Sequence, residues 1–180
     1  MADGEMNAAR RIAKESGVAE HRVVTMPQLR ELSDMKRPGR LAGLPRTYIP
    51  MKNATYYSLA AAFAEETGSS FIVGGHNLDD LKFFEDTSDQ FFTYLQKAIR
   101  AGSARLRERN VRIWRPLREM PKADVVKLAD KLGVPLGMTW SCHMETSRPC
   151  WRCAGCAARS KSFEEAGVTD PLTQKRTGNV

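Results

Sequence analysis

The sequence predicts an α/β fold built on a parallel sheet, because helical patterns alternate with short apolar strands along the first 138 residues. The clearest unit is an amphipathic helix predicted over residues 53–67, followed by a wholly apolar strand at residues 71–73. Parallel strands that are buried on both faces have such a composition. The strand runs directly into Gly74 and Gly75, and ligands in open α/β sheets sit beyond the carboxyl ends of the strands. We therefore expect a ligand site at this turn.

The other elements follow in chain order. A helix is predicted at residues 8–16, ended by Gly17, and a strand at residues 21–26. Residues 29–44 are charged and carry Pro and Gly, which predicts a surface loop with one helical turn, able to close over a ligand. The remaining predictions are a helix at 91–101, a strand at 111–114, helices at 122–132 and 160–166, and a frayed polar tail at 173–180.

Length and composition indicate one globular domain with a sizeable core, since the 180 residues are 42% hydrophobic and 27% charged. Within it we distinguish a partial Rossmann-like α/β portion (1–138), a zinc-binding segment (139–167) and a tail (168–180). The longest apolar run, residues 59–64, is too short to cross a bilayer. The first 15 residues alternate charges and have no apolar centre, whereas a signal peptide has one. We expect a cytoplasmic protein.

The net charge of +7 is concentrated in one segment. Eight basic residues lie in this basic segment: Lys97, Arg100, Arg105, Arg107, Arg109, Arg112, Arg115 and Arg118. Such a cluster suggests an anionic partner, either a nucleotide phosphate or RNA. A solvated surface or a subunit contact accounts for most of these residues equally well.

All four cysteines fall within fifteen residues: Cys142, Cys150, Cys153 and Cys156. Four thiolates concentrated in this way match a tetrahedral zinc site in which every thiolate bonds the metal. Two disulfides are the alternative, but such short spacings would strain them and a chain without a signal peptide disfavours them. An iron–sulfur cluster is a third interpretation. It is disfavoured because no Cys-Pro follows the cysteines, as it does in the bacterial ferredoxin pattern.

The turn after the predicted strand offers polar groups to a ligand. Gly74 and Gly75 allow close approach of the backbone, while the four residues His76, Asn77, Asp79 and Asp80 supply side chains. A polar turn in which the glycines serve geometry alone is the other interpretation.

Several short motifs, in order, resemble the 7-cyano-7-deazaguanine synthase family, whose members make the nitrile precursor of queuosine and archaeosine. The matching stretches are Ile49-Pro50-Met51-Lys52-Asn53, Gly74-Gly75-His76-Asn77 with Asp79, Asp86 with Phe91, Pro116-Leu117 with Lys122-Ala123, and Thr139-Trp140-Ser141-Cys142 with the later cysteines. The resemblance implies a parallel-sheet nucleotide alpha-hydrolase-like fold, that of the PP-loop ATPases, ending in a four-cysteine zinc-binding segment.

The chain departs from this family in two respects. Met51 and Lys52 stand where the family usually has Gly and Arg, so a bidentate guanidinium is exchanged for a point charge. The family also begins with a strand and a Ser-Gly-Gly-x-Asp-Ser loop that holds pyrophosphate at a helix N-terminus, and none of these 180 residues forms that motif. We therefore expect a fold that is incomplete at its N-terminus. A separate polypeptide, a partner subunit in a homo-oligomer or a rearranged sheet would complete it, and a sequence truncated at its start accounts for the gap equally well.

The resemblance also implies an activity and its residues. The family converts 7-carboxy-7-deazaguanine and ammonia to the nitrile with ATP and magnesium, and the zinc is structural. By resemblance, Lys122 meets phosphate and serves catalysis together with Asp79, and the base and nucleotide are held by Lys52, Asn53, Gly75, His76, Asp86 and Phe91. We expect the chain alone not to turn over ATP, because the loop that would position the phosphates is missing from it.

Two other functions stay open at this point. One is a PP-loop enzyme that modifies tRNA, for which the basic segment would bind RNA. The other is a non-catalytic zinc-binding module descended from the ligase, which the missing phosphate loop supports.

Overall fold

The computed structural model describes residues 3–32, 48–82, 84–144 and 146–174. These residues form two compact units: one contains residues 25–120, and the other combines residues 1–24 with residues 121–180. None of the helices in these ranges is long and apolar enough to cross a membrane.

The first unit, which we call the sheet unit, is built around two parallel strands. Its elements are α2 (Pro27–Glu31), α3 (Lys52–Thr67), β1 (Phe71–Val73), 3-10 turns at Asp80–Lys82 and Glu85–Thr87, α4 (Asp89–Gly102), α5 (Ala104–Glu108) and β2 (Arg112–Trp114). Strands β1 and β2 pair in parallel, with Ile72 opposite Ile113, and the ladder continues where the Gly74 N–H donates to the Trp114 carbonyl at 2.9 Å. The predicted parallel sheet is therefore present.

One face of the sheet carries the hydrophobic core. The helices α3, α4 and α5, the strand β1 and the residue before β2 contribute to it. The buried residues are Tyr57, Ala61, Ala64, Ile72, Phe92, Leu106 and Val111. The helix α3 ends as the sequence predicts, because Gly68 takes a left-handed conformation (φ 73°) and its N–H donates to the Ala64 carbonyl.

The prediction that β1 is buried on both faces is wrong. Only Ile72 is buried, whereas Phe71 and Val73 are 55% and 60% exposed, and Trp114 of β2 is 54% exposed on the same side. Phe71 and Trp114 meet edge to face at 6.4 Å between ring centroids. Alternation of exposed and buried side chains is the pattern of a sheet with one covered face.

The strand predicted at residues 21–26 is also wrong. These residues take no regular structure, and Val23 and Val24 are exposed. A strand exists only where a neighbour completes its hydrogen-bond ladder, and no strand within the described ranges pairs with this segment. The helical turn predicted after residue 29 corresponds in part to α2, while the rest of that loop falls within residues 33–47 and the end of the tail within 175–180, outside the described residues.

The second unit, which we call the cysteine unit, contains α1 (Asp3–Glu15), α6 (Lys122–Lys131), a 3-10 turn (Leu136–Met138), α7 (Ala154–Ala166) and α8 (Pro171–Gln174). Helix α7 starts six residues earlier than the predicted helix at 160–166, because it begins directly after Cys153. Arg159 of this helix is 4% exposed and Asp170 is 6% exposed. The Arg159 guanidinium donates two hydrogen bonds to the Asp170 carboxylate, at 2.6 and 2.8 Å. Arg159 also donates to Thr139 Oγ1 at 2.7 Å, so it ties α7 to the preceding loop.

Candidate functional site

The four cysteines converge at the start of α7. Their sulfur atoms all lie within 4.8 Å of one another, and the pairs Cys150–Cys156 and Cys142–Cys153 are each separated by 4.0 Å. Sulfurs bonded tetrahedrally to zinc at about 2.3 Å are separated by about 3.8 Å, so this arrangement fits the ion. Cys142 and Cys156 are buried, and Cys150 and Cys153 are partly buried.

Backbone N–H groups converge on these sulfurs. The Met144 and Cys150 N–H groups both donate to Cys142 Sγ, and the His143 N–H donates to Cys153 Sγ, each at 3.4 Å. Such bonds stabilise thiolates and fix their orientation, as second-shell groups do around protein-bound metals. Cys153 is the N-cap residue of α7, where the helix dipole favours negative charge.

The protonation of the sulfurs is divided between them. Burial raises the pKa of the Cys153 thiol, but the N–H donors of His143 and Cys156 outweigh burial and lower that pKa to about 6. Burial raises the pKa of Cys156 to about 12, and its hydrogen bond with Cys153 acts in the same direction. The N–H of Arg152 lowers the pKa of Cys150. The Cys150 and Cys153 thiols therefore lose a proton more readily than the Cys156 thiol, and binding of a metal ion would deprotonate all four.

Gly155 is required by the packing of this cluster. A Cβ atom at this position would lie 2.0 Å from the Ser141 carbonyl oxygen and 2.7 Å from His143 Nε2. Only glycine lets the first turn of α7 approach the loop that carries Cys142.

A second polar cluster lies in the sheet unit, at the carboxyl end of β1. Asn53, at the start of α3, is 6% exposed, and its backbone N–H donates to Asp86 Oδ2 while its Nδ2 donates to the Asp86 carbonyl, both at 3.1 Å. This pair joins residues that are 33 positions apart in the sequence. Asp86 is thereby held in place with a carboxylate directed at a helix N-terminus.

His76 lies among aromatic rings beside this pair. Its imidazole stacks on Tyr57 at 5.8 Å and tilts against Phe92 at 5.3 Å between ring centroids. Burial lowers the pKa of His76, an effect that Asp80 opposes, so the imidazole is neutral at pH 7. A neutral imidazole offers both a donor and an acceptor to a ligand.

Gly74 is tightly constrained at the end of β1. A Cβ atom there would lie 1.6 Å from the Tyr57 hydroxyl, which is buried and makes no hydrogen bond within the described part of the chain. Burial raises the pKa of Tyr57. The phenol therefore remains protonated and places an O–H group at the end of the strand that leads to His76.

The other predicted site residues are placed as follows. Asp79 forms an ion pair with Lys82 at 2.6 Å, and its N–H donates to the Asn77 side chain. The Lys52 ammonium lies 5.7 Å from the centre of the Phe84 ring. Phe91, in the first turn of α4, packs edge to face on Phe92. Gly75 has open space around its Cα, and Lys122 begins α6 in the cysteine unit.

Two residues of the basic segment, Arg100 and Arg115, make contacts within the chain. Arg100 Nε donates to the Val111 carbonyl at 2.8 Å. Arg115 has a side chain only 10% exposed; it lies 4.2 Å from the Phe92 ring centre and bonds the Thr87 carbonyl and Asp89. For these two residues the structural interpretation holds, because their guanidinium groups satisfy buried carbonyls.

Sequence reasoning missed three residues at this site. The sequence predicts Tyr57 and Phe92 only as parts of the helices at 53–67 and 91–101, and Arg115 only as part of the basic segment. In the structure all three lie close to His76. The spacing of Tyr57 one helical turn after Asn53 is the signal that points to a shared face.

Comparison with known proteins adds to this geometry. A family profile described as "Queuosine biosynthesis protein QueC" matches residues 2–167. A protein named 7-cyano-7-deazaguanine synthase from Trichodesmium erythraeum (strain IMS101) is 32% identical over 93% of this chain and 82% of its own length. The chain belongs to the QueC family. Relatives of the same name from Thermoplasma acidophilum and Rhizorhabdus wittichii are 34% and 36% identical, over 96% and 93% of this chain and 76% and 77% of their own lengths.

Membership of the QueC family confirms the resemblance and implies a PP-loop ATPase-like fold, in agreement with the parallel α/β arrangement. The family also accounts for the backbone conformation of Met51, which stands where the family usually has glycine. This residue caps α3 with φ 55° and ψ 23°, a left-handed conformation that costs a non-glycine residue about 1–2 kcal/mol. The position where the family resemblance predicts glycine is thus one where the backbone favours glycine.

Proposed function

We propose that this chain is the substrate- and metal-bearing portion of a 7-cyano-7-deazaguanine synthase, an ATP-dependent ligase that converts 7-carboxy-7-deazaguanine and ammonia to the nitrile. The observation that carries the proposal is the polar cluster at the carboxyl end of β1, where Asn53, Asp86 and His76 lie together in a chain of the QueC family. Ligands of open α/β sheets bind at that end.

Each residue of the cluster has a role that its surroundings support. One carboxylate oxygen of Asp86 accepts a hydrogen bond from the Asn53 N–H, and its second oxygen can accept one from a deazapurine N–H group. Phe91 offers an aromatic ring to the planar base. His76 is neutral at pH 7 and can donate to a carbonyl or carboxylate oxygen of the substrate.

The chemical difficulty of the reaction is that a carboxylate oxygen is a poor leaving group. ATP with Mg²⁺ would activate the carboxylate as a mixed anhydride with AMP, releasing pyrophosphate, and ammonia would displace AMP to give the amide. A second ATP would activate the amide oxygen in the same way, and its loss as AMP would leave the nitrile. Lys52 contributes positive charge near the start of α3, and by family resemblance Lys122 meets phosphate and Asp79 serves catalysis. Positioning and charge stabilisation, rather than covalent participation of the protein, are what these side chains provide.

The metal in this proposal is structural zinc. Four thiolates fill a tetrahedral shell and leave no position for water, so the ion organises the loop between Cys142 and Cys153. Replacing Cys153 by Ala is expected to release the metal and to unfold this loop, since metal binding and folding are linked in such sites. Elemental analysis of the purified chain checks this, and a well-folded protein with iron or without metal would contradict it.

We further propose that the phosphate-binding loop comes from a polypeptide segment beyond these 180 residues, joined or separate, that docks on the sheet. Strand β1 has a free edge in the described two-stranded sheet, beside the exposed apolar face of Phe71, Val73 and Trp114. Free edges and exposed apolar patches mark sites of association. The portions matched by this chain also make up only 76–82% of the full lengths of the synthases in the comparison.

The test is an assay of AMP release with 7-carboxy-7-deazaguanine, ammonia, ATP and Mg²⁺. We expect no turnover by the chain alone, and turnover once a fragment carrying a strand and a Ser-Gly-Gly-x-Asp-Ser loop is added. Phe71→Ser is expected to raise the fragment concentration needed for turnover, because it removes apolar surface from the proposed docking face. Tyr94→Ser, at a similarly exposed aromatic residue of α4, serves as control.

Each result separates the alternatives. Strong AMP formation by the chain alone would show that the segment is unnecessary. Absence of AMP with every fragment, in a protein that holds its metal, would favour a non-catalytic zinc-binding module, for which the missing loop is the specific observation. In the complemented enzyme, Asp86→Asn is expected to reduce activity at least tenfold by weakening base recognition, and wild-type activity of this variant would remove Asp86 from the site.

A further inference from the structure

A large cleft lies in the cysteine unit, and none of its lining residues belongs to the polar cluster after β1. Its volume is about 670 Å³, within the range of small-molecule sites. The walls come from α1, from the segment around the 3-10 turn, from the loop between Cys142 and Cys153, and from α8. The lining residues that matter here are Arg11, Met138, Trp140, Arg148 and Trp151.

The indole ring of Trp140 is held in place by its surroundings. Trp140 donates from Nε1 to the Cys142 carbonyl at 2.9 Å. The helix α1 packs on the same ring, because a Cβ atom at Gly4 would lie 2.4–2.9 Å from its ring atoms. The Trp140 side chain is therefore positioned before any ligand arrives, which lowers the entropic cost of binding.

Trp151 takes an unusual backbone conformation. Its φ is 55°, in the left-handed region, where a bulky residue is strained. It lies between Cys150 and Cys153, so the two cysteines hold the backbone on either side of it. Strained residues held by their surroundings cluster at ligand sites, and Trp151 is one of the residues that line the cleft.

The cleft is positively charged. Arg11 and Arg148 are exposed, and neither guanidinium makes an ion pair or hydrogen bond with another side chain within the described ranges. Arg10, Lys14 and Arg152 stand nearby in the sequence and add to the local positive charge. Free guanidinium groups beside apolar walls are suited to a phosphate or carboxylate, which they bind with two parallel hydrogen bonds.

We infer that this cleft binds a nucleotide, with the base stacked on Trp140 or Trp151 and the phosphate held by Arg11 and Arg148. An indole offers a π-face to any base, and arginine supplies both charge and planar stacking. The site is independent of the proposed synthase reaction, since none of its lining residues belongs to the cluster around Asn53 and Asp86. A free mononucleotide and one nucleotide of a single-stranded RNA both offer the base and the phosphate that this cleft would bind.

Tryptophan fluorescence tests the inference in the full chain. A Trp114→Phe background leaves Trp140 and Trp151 as the only two indoles. The probes are AMP, adenosine and a six-residue oligoadenylate, titrated at one fixed salt concentration. We expect saturable quenching by AMP, and binding of adenosine at least tenfold weaker because it lacks the phosphate.

Neighbouring arginines provide matched controls. Arg11→Gln and Arg148→Gln are each expected to weaken AMP binding about tenfold, the contribution of one charge-assisted hydrogen bond. Arg10→Gln and Arg152→Gln remove the same charge from residues that do not line the cleft, and these are expected to change binding less than twofold. Circular dichroism and metal content confirm that all four variants fold alike.

The outcomes are distinct. Oligoadenylate that binds more than tenfold tighter than AMP, with the same dependence on Arg11 and Arg148, identifies RNA as the source of the nucleotide. Similar affinities identify the free mononucleotide. The inference is overturned if no probe quenches by millimolar concentration, if adenosine binds as tightly as AMP, or if the control variants lose as much affinity as the lining ones.

Discussion

Replacing Gly155 by Ala places a methyl group against the loop of the cysteine cluster. The new Cβ would lie 2.0 Å from the Ser141 carbonyl oxygen. Real Cβ contacts stay beyond about 3.0 Å, so backbone must move by roughly 1 Å, and overpacking of this kind costs about 1–3 kcal/mol. Metal sites tolerate deviations of only about 0.2 Å. We therefore expect Gly155→Ala to lose both folding stability and metal affinity.

Gly102→Ala is the matched control. Gly102 is also helical, at the end of α4, and a Cβ atom there would meet nothing within 4 Å. Both substitutions gain helix propensity, about 1 kcal/mol in a helix interior and less near an end. The difference between their unfolding free energies therefore isolates the clash at about 1–3 kcal/mol.

Urea unfolding followed by circular dichroism gives the two free energies, and elemental analysis after dialysis against a weak chelator gives the zinc retained per chain. Full metal content in Gly155→Ala, together with the same unfolding free energy as Gly102→Ala, would contradict this prediction.

Three further predictions follow from single contacts. Met51→Gly relieves the left-handed backbone, and after subtraction of the entropic cost of glycine we expect a gain of about 0.5–1 kcal/mol in urea unfolding, larger than for Asn110→Gly, since asparagine tolerates φ 52°. Arg159→Met leaves Asp170 buried without its partner, and we expect a loss of about 3–5 kcal/mol; a loss below 1 kcal/mol would contradict this. Because burial lowers the pKa of His76 below 6.5, its stability contribution is present above that pH and is lost as pH falls, so His76→Gln should flatten the stability difference between pH 7.5 and pH 5, and an unchanged difference would contradict the assignment.

Some features of the site follow directly from local sequence. The spacing of the four cysteines predicts a metal cluster because short loops bring neighbouring ligands together whatever the rest of the fold does. The end of α3 at Gly68 and the glycine turn after β1 are equally local, since glycine conformations depend on the residue itself. The parallel pairing of β1 with β2 follows from the alternation of helices and strands.

Other features arise only from contacts between distant residues. The bonds between Asn53 and Asp86 join segments 33 residues apart, and no local pattern encodes them. Arg115 reads as a surface charge in the sequence, yet folding places it against Phe92 and the Thr87 carbonyl. A guanidinium can be solvated by water or can donate to a buried carbonyl, so the residue type alone does not decide which of the two occurs.

The segment at residues 21–26 shows the same division. By itself the sequence determined the grouping of the four cysteines, the end of α3 and the turn after β1, because these depend on residue types and short spacings. Whether an apolar run becomes a strand, and whether a strand is covered on one face or two, only the tertiary structure decided. The physical reason is that backbone hydrogen bonds and buried apolar surface in a sheet need a neighbour, which no segment of sequence supplies for itself.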